Sequence, residues 1–194
     1  MRIVLASASP RRRELLEQAG IDFEILIGST RECITKEEPG EIVEELSLAK
    51  AKGVAEAVTG DAVIIGADTI VAKGNKVLGK PKDAEDAHQM LAMLQGEKHQ
   101  VYTGVTLLQK KGNEKIIRSF HERTDVFMTS MSDQEIEAYI ATGEPFDKAG
   151  SYGIQGRAGI FVERIEGDYY NYLPCQTAPR WQCTLRSPDH SSMS

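Results

Sequence analysis

The N-terminal stretch decides the fold: residues 3–13 read Ile-Val-Leu-Ala-Ser-Ala-Ser-Pro-Arg-Arg-Arg. The apolar run from Ile3 to Ala6 predicts a buried strand. Small residues follow, and Ser9 at the N-cap position with Pro10 in the first turn predicts the start of a helix. A strand that leads into a helix through small residues leaves backbone N–H groups free to bind an anion, which the helix dipole also favours.

Three arginines, Arg11, Arg12 and Arg13, lie within the first turn of that predicted helix. Guanidinium groups bind phosphate oxygens bidentately, so the turn predicts a polyphosphate ligand. The alternative is a solvated run of charge, which is the commoner explanation of charge runs in general. The strand, cap and proline that precede the arginines favour the phosphate site.

Composition limits the classes of function. The 194 residues suffice for one domain with a sizeable core, and the net charge of −6 argues against a general nucleic-acid binder or a polybasic membrane protein. Three cysteines without a visible export signal favour a reducing compartment. We therefore expect a cytoplasmic protein with neither a nucleic-acid partner nor a membrane partner.

Strand-like and helix-like segments alternate along the chain, which predicts an α/β fold. The predicted strands after the first are Phe23–Ile27, Ala62–Gly66, Ile70–Ala72, Lys76–Leu78, Val101–Gln109, Ile116–Thr129 and Ile160–Arg164. The predicted helices are Arg11–Ala19, Glu41–Val58, Asp83–Leu94 and one that Ser132 and Glu135 cap as a capping box. Gly74-Asn75 predicts a hairpin turn.

Three further places carry candidate chemistry. Asp68 follows the predicted end of the strand Ala62–Gly66, where a carboxylate can hold a divalent cation or activate a water, although a plain turn-forming aspartate is the alternative. Lys80 beside Pro81 can reach phosphate or be an ordinary surface lysine. Gln155, in a glycine-rich loop, can pair with the edge of a base. The histidines and cysteines lack metal-ligand spacing, and neither common nucleotide-binding glycine motif is present.

Five motifs resemble the Maf family of nucleoside triphosphate pyrophosphatases in order and spacing, from Met1 to about Asn171. They are LASASPRR (Leu5 to Arg12), GADTIV (Gly66 to Val71), GKP (Gly79 to Pro81), YTGV (Tyr102 to Val105) and GEPFDKAGSYGIQG (Gly143 to Gly156). The resemblance implies hydrolysis of a nucleoside triphosphate to the monophosphate and pyrophosphate with Mg²⁺ or Mn²⁺. It also implies a long twisted mixed sheet flanked by helices, two lobes that enclose a cleft, and a homodimer.

Carried over by position, the resemblance implies that Asp68 is the catalytic proton acceptor. It implies a phosphate-binding set of Ser7, Arg11, Arg12, Lys52 and Lys80. Glu32 and Asp68 would hold the metal, and Arg31 stands where the family usually has a second acidic residue.

The resemblance also bears on substrate preference, through three positions that include Arg11 again. Arg11, Thr69 and Gln155 match the branch selective for dTTP and UTP, whereas a sister branch selective for 7-methyl-GTP has Trp, Gln and Glu there. The family is also linked to arrest of septum formation, so the alternative is a nucleotide-binding regulatory protein without essential catalysis. Release of pyrophosphate separates the two hypotheses.

The C-terminus departs from the family after Asn171, where relatives continue with Gly-Leu-Pro and a closing amphipathic helix. Residues 172–194 instead contain three of the seven prolines, two of the three cysteines and the single tryptophan. A one-base shift in Cys175-Gln176-Thr177-Ala178 can give Val-Lys-Leu-Leu, so a change of reading frame would explain the ending. We hypothesise a Maf-like domain over residues 1–171 and a tail over 172–194 that packs poorly.

Overall fold

The computed structural model describes residues 1–29, 33–168 and 171. The helices and strands are, in chain order, β1 (Arg2–Leu5), α1 (Pro10–Gln18), β2 (Glu24–Ile25), α2 (Pro39–Ala55), β3 (Ala62–Lys73), β4 (Lys76–Leu78), α3 (Ala84–Leu94), β5 (Lys98–Lys111), β6 (Glu114–Met128), α4 (Asp133–Ile140) and β7 (Val162–Glu166). Short 3-10 helices lie between α4 and β7. No helix of the described part is long and apolar enough to span a bilayer.

The strands form one mixed seven-stranded sheet in the order β2-β1-β3-β5-β6-β7, with β4 also paired to β3. β1 runs parallel to β2 and β3, and the other pairs are antiparallel. The predicted mixed sheet flanked by helices is confirmed. β3 is apolar over its first half because both of its faces are covered: Ile64 packs in the cluster with α2, and Val63 and Ile65 pack with Leu16 of α1.

Helix α2 lies directly on the sheet at two glycines. A Cβ added at Gly66 in β3 would overlap the carbonyl oxygen of Ser47, and one added at Gly104 in β5 would overlap that of Val43. Neither position has room for a side chain, so backbone contact fixes the height of α2 above β3 and β5. This contact determines where the side chains of α2 meet the site.

Several predicted bounds are wrong. The segments Ala62–Gly66 and Ile70–Ala72 belong to one strand, so Asp68 lies in the middle of β3 and not after its end. Continuous pairing with β5, from Ala62 opposite Lys110 to Ala72 opposite Gln100, extends the strand through polar residues that break the apolar pattern. β7 begins at Val162 because residues 157–161 form a 3-10 helix, and β2 covers only Glu24–Ile25.

The predictions made from short local sequence patterns agree more closely with the structure. The hairpin at Gly74-Asn75 and the capping box of Ser132 and Glu135 are confirmed. Ser9 occupies the N-cap position of α1 with Pro10 after it, but the Ser9 side chain makes no capping hydrogen bond to the described residues.

Candidate active site

A gap along one edge of β3 creates the site. β3 pairs with β5 along one edge, while on the other edge β1 pairs with residues 62–65 and β4 with residues 71–73. Within the described part of the chain, residues 66–70 therefore have no strand partner on that second edge. A cleft of about 940 Å³ opens there, and Asp68 and Thr69 lie in its lining.

The turn after β1 forms one wall of this cleft. β1 is parallel to β3, so its carboxyl end points towards the gap, and Ser7, Arg11 and Arg12 line the cleft. Arg12 is only 8% exposed, and its Nη1 donates to Ser7 Oγ at 2.9 Å. The backbone N–H of Ser9 donates to the same oxygen at 3.2 Å. One hydroxyl thus holds the turn closed and orients a buried cation at the cleft.

The Asp68 carboxylate is paired with Lys50 of α2, whose Nζ donates to Oδ1. The two side chains are 15% and 24% exposed, so the pair is shielded but reachable from the cleft. Lys50 shares the sheet-facing side of α2 with Ser47, the residue whose carbonyl contacts Gly66. The close approach of α2 therefore places an amine against the carboxylate.

The segment after the first 3-10 helix forms the opposite wall. Lys148 Nζ donates to the carbonyl oxygen of Glu144 at 2.8 Å and to Asp147 Oδ1 at 2.7 Å. Partial burial acts to raise the pKa of the Asp147 carboxyl, but the hydrogen bond from Lys148 and the charges of Lys148, Arg11 and Lys80 lower the pKa overall. Cations from both walls therefore already stabilise one negative charge in this cleft.

Tyr152, in the same wall of the cleft, is held in position by a buried histidine. Its hydroxyl is hydrogen bonded to Nε2 of the fully buried His99, and the two rings meet edge to face. Burial, together with the charge of Lys73, lowers the pKa of His99 to about 4, so this imidazole is neutral at neutral pH. Ser151, directly before Tyr152, has a φ of +64°, a strained conformation for a residue other than glycine.

Comparison with known sequences decides the family. The sequence model of the family described as Maf-like protein matches residues 2–173. The chain belongs to the Maf family.

Three similar proteins carry the same name. The dTTP/UTP pyrophosphatase of Agathobacter rectalis is 48% identical over 193 residues, which cover 93% of this chain and 94% of that protein. Those of Alkaliphilus metalliredigens and Bacillus cytotoxicus are each 50% identical over 173 residues, with 89% and 88% covered. Among solved structures, the Ham1 protein of Staphylococcus aureus aligns with 66% of this chain and 72% of its own, at 13% identity and a TM-score of 0.44.

Most site residues predicted for this Maf protein come together. The lining includes Ser7, Arg11, Arg12, Asp68, Thr69 and Lys80. Lys52 and Gln155 are exposed and do not belong to the described lining. Glu32 and its neighbour Arg31 lie outside the described residues, as does the hypothesis about residues 172–194.

Lys50 is the lysine of α2 that lines the Maf cleft, and the sequence analysis named Lys52 instead. Positions two apart on a helix face opposite ways, so the choice between the two lysines depends on the helical face. A usable signal was present, because Lys50 follows Ser47 and Leu46 on the face that packs on the sheet. A lysine on that face is unusual unless it has a partner.

Proposed function

We propose that this Maf protein hydrolyses nucleoside triphosphates, with dTTP and UTP preferred, to the nucleoside monophosphate and pyrophosphate. The observation that carries the proposal is the meeting of the cationic turn, residues 7–12, with the Asp68 carboxylate in one cleft. The names of the relatives that are about half identical support the same reaction and the pyrimidine preference.

In this proposal the cations bind the triphosphate. Arg11, Arg12 and Lys80 contact phosphate oxygens from the cleft walls, and guanidinium groups do so bidentately. Ser7 fixes the Arg12 guanidinium before substrate arrives. Preorganised positive charge stabilises the charge that develops on the phosphoryl oxygens, which is usually the largest single contribution to such catalysis.

Asp68 acts as the proton acceptor. A water attacks the α-phosphorus and gives its proton to Asp68, the bond from the α-phosphorus to the bridging oxygen breaks, and pyrophosphate leaves. Lys50 donates to Oδ1, which leaves Oδ2 to accept the proton. Lys50 also keeps the carboxylate from rotating, so the acceptor is already oriented in the free protein.

A divalent cation, Mg²⁺ or Mn²⁺, fits the donor chemistry of the cleft. No cluster of three or more His, Cys, Asp or Glu side chains that could hold a metal occurs among the described residues. Mg²⁺ at nucleotide sites commonly takes one or two carboxylates together with phosphate oxygens of the substrate, and Asp68 is a carboxylate in the cleft lining. The family resemblance adds Glu32, which lies outside the described residues. The cation would neutralise phosphate charge. Addition of EDTA should abolish turnover, and Mg²⁺ or Mn²⁺ should restore it.

The decisive experiment is a nucleotide panel of dTTP, UTP, CTP, ATP and 7-methyl-GTP, with pyrophosphate and monophosphate both quantified. We expect equal amounts of the two products and the highest kcat/KM for dTTP and UTP. Orthophosphate as the main product would contradict cleavage at the α-phosphorus, and a preference for 7-methyl-GTP would contradict the branch. Binding of nucleotide without turnover would favour the regulatory alternative, which the enzyme names of the relatives do not favour.

We also propose that the protein is a cytoplasmic homodimer that does not bind nucleic acid, as the family resemblance and the net charge of −6 suggest. Light scattering after size-exclusion chromatography measures the mass, and a monomer at micromolar concentration would contradict the dimer. Retention on DNA at moderate salt would contradict the absence of a nucleic-acid partner.

A further inference from the structure

A chain of buried hydrogen bonds connects the cleft to Asn171. Thr69 and Thr103 are opposite each other on β3 and β5, and their Oγ1 atoms are 3.0 Å apart. Thr103 Oγ1 donates to the backbone carbonyl oxygen of Asn171 at 2.8 Å. Thr103 is 4% exposed and Asn171 is 5% exposed, so water does not compete for these bonds.

The direction of each bond follows from the available protons. A carbonyl oxygen only accepts, and a threonine hydroxyl has one proton to donate. Because Thr103 donates its proton to Asn171, the proton between the two threonines belongs to Thr69. Thr69 lies in the cleft lining, and its hydroxyl has only lone pairs left to offer a ligand. It acts as a hydrogen-bond acceptor.

Asn171, the last residue in this series of hydrogen bonds, is itself held by further hydrogen bonds. Its Nδ2 donates to the carbonyl oxygen of Val101 at 3.2 Å and to Thr124 Oγ1 at 2.9 Å. Its backbone N–H donates to the carbonyl oxygen of Asp168 at 3.1 Å, and Thr124 Oγ1 donates to the same oxygen at 2.9 Å. These bonds hold the backbone nitrogen and the side chain of Asn171 in place, and its carbonyl oxygen accepts from Thr103.

We propose that Thr103 and Asn171 are positioning residues that set nucleotide selectivity by holding Thr69 Oγ1 as an acceptor. The inference rests on the proposed function and names the feature that Thr69 reads. That feature is a hydrogen-bond donor of the nucleoside, either the imide N–H of a uracil or thymine ring or a hydroxyl of the sugar. A nucleoside that places an acceptor there, or no polar atom, leaves Thr69 unpaired and is selected against.

The test separates the two donors with two kinds of substrate comparison, made from three pairs of substrates. UTP against CTP reports the ring N–H, and UTP against its 2′-deoxy and 3′-deoxy analogues reports the sugar hydroxyls. For each pair, the ratio of kcat/KM and the ratio of Kd are measured. In Thr103→Val the Thr69 hydroxyl is free to donate as well as accept, so one of the two selectivities should fall about tenfold, the scale of a single neutral hydrogen bond.

Four further variants make the result specific. Thr103→Ser keeps the hydroxyl and should restore the wild-type selectivity. Thr69→Val should lose selectivity for the same substrate pair, and adding Thr103→Val to it should change nothing more. The matched control is Thr106→Val: this buried threonine of β5 bonds to Ser47 at 2.8 Å and Ser119 at 2.7 Å and does not line the cleft, so the variant should leave both selectivities unchanged.

The inference is overturned if folded Thr103→Val keeps both selectivities within twofold of wild type, or if Thr106→Val lowers them equally. Thermal unfolding shows which variants are folded, and Thr103→Ala, which also removes the hydroxyl, takes the same test if the valine variant is not folded. A wild-type protein that releases no pyrophosphate contradicts the proposed function alone, because the Kd ratios still measure selectivity.

Discussion

The turn after β1 and the strand pair of β3 and β5 both face the cleft, but they are built differently. In the turn, Ser7 and Arg12 are five residues apart in sequence, and two side chains that line the cleft, Arg11 and Arg12, carry positive charge. In the strand pair, Thr69 bonds to Thr103 across 34 residues, and Thr103 bonds to Asn171 across 68. Charge acts over several ångströms on any phosphate, whereas neutral buried hydrogen bonds act only at contact. The comparison assigns affinity to Arg12 and the rest of the turn and selectivity to the strands, apart from the selectivity role that the family resemblance gives to Arg11.

The largest expected effect lies where the two regions meet. Asp68→Asn keeps the shape of the side chain but removes the proton acceptor, so kcat should fall by about 10²-fold or more while KM changes little. Asp22→Asn, at an exposed position outside the cleft, is the matched control. Near-normal turnover in Asp68→Asn would remove Asp68 from the mechanism.

The next effect tests the turn alone. Arg12→Ala removes a charged hydrogen-bonding group, so KM should rise by roughly 30-fold, and by the same factor for every nucleotide in the panel. Arg13→Ala on the same helix, with a half-exposed side chain paired to Glu17, should change KM by less than about threefold. If Arg12→Ala altered the preference between bases, the division between affinity and selectivity would be wrong.

A smaller effect should separate two lysines on α2. Lys50→Ala removes the partner of Asp68, and we expect kcat to fall about tenfold because the carboxylate loses its fixed orientation. Lys52→Ala should have less effect, since Lys52 is exposed and outside the lining. A larger fall in kcat for Lys52→Ala than for Lys50→Ala would show that Lys52, and not Lys50, supports catalysis.

The smallest effect concerns stability of the neutral, buried part of the molecule. In the unfolded chain His99 binds a proton near its ordinary pKa of 6.5, whereas in the folded protein its pKa is about 4. The free energy of unfolding therefore decreases as the pH falls from about 6.5 to about 4. Between pH 7 and pH 5.5 this amounts to about 1 kcal/mol. Urea unfolding at the two pH values should show that loss in the wild type and less of it in His99→Gln. Equal losses would contradict a neutral buried His99.

The same contrast explains what the sequence could and could not predict. The strand, proline and arginines of the turn are adjacent, so local patterns predicted the helix start and drew attention to Arg11 and Arg12, which line the cleft. The path of β3 through Asp68 was not predictable in this way, because pairing with β5 and not local propensity holds its polar residues in a strand. The part played by Thr103 and Asn171 depends on side chains meeting across three strands, which no spacing along the chain indicates. Lys50 falls between these cases, since its helical face was readable but its partner was not.

The parallel pairing of β1 with β3 has a consequence for the order of folding. Arg2 pairs with Ala62, so the whole of α1, β2 and α2 separates the two strands, whereas β5 and β6 are joined by a tight turn. Closing the longer loop costs more entropy and occurs after the hairpin has formed. During synthesis β1 leaves the ribosome before β3, yet it pairs only once β3 has been made. The arginines that we propose to bind the phosphates are therefore made well before the strand that completes their site.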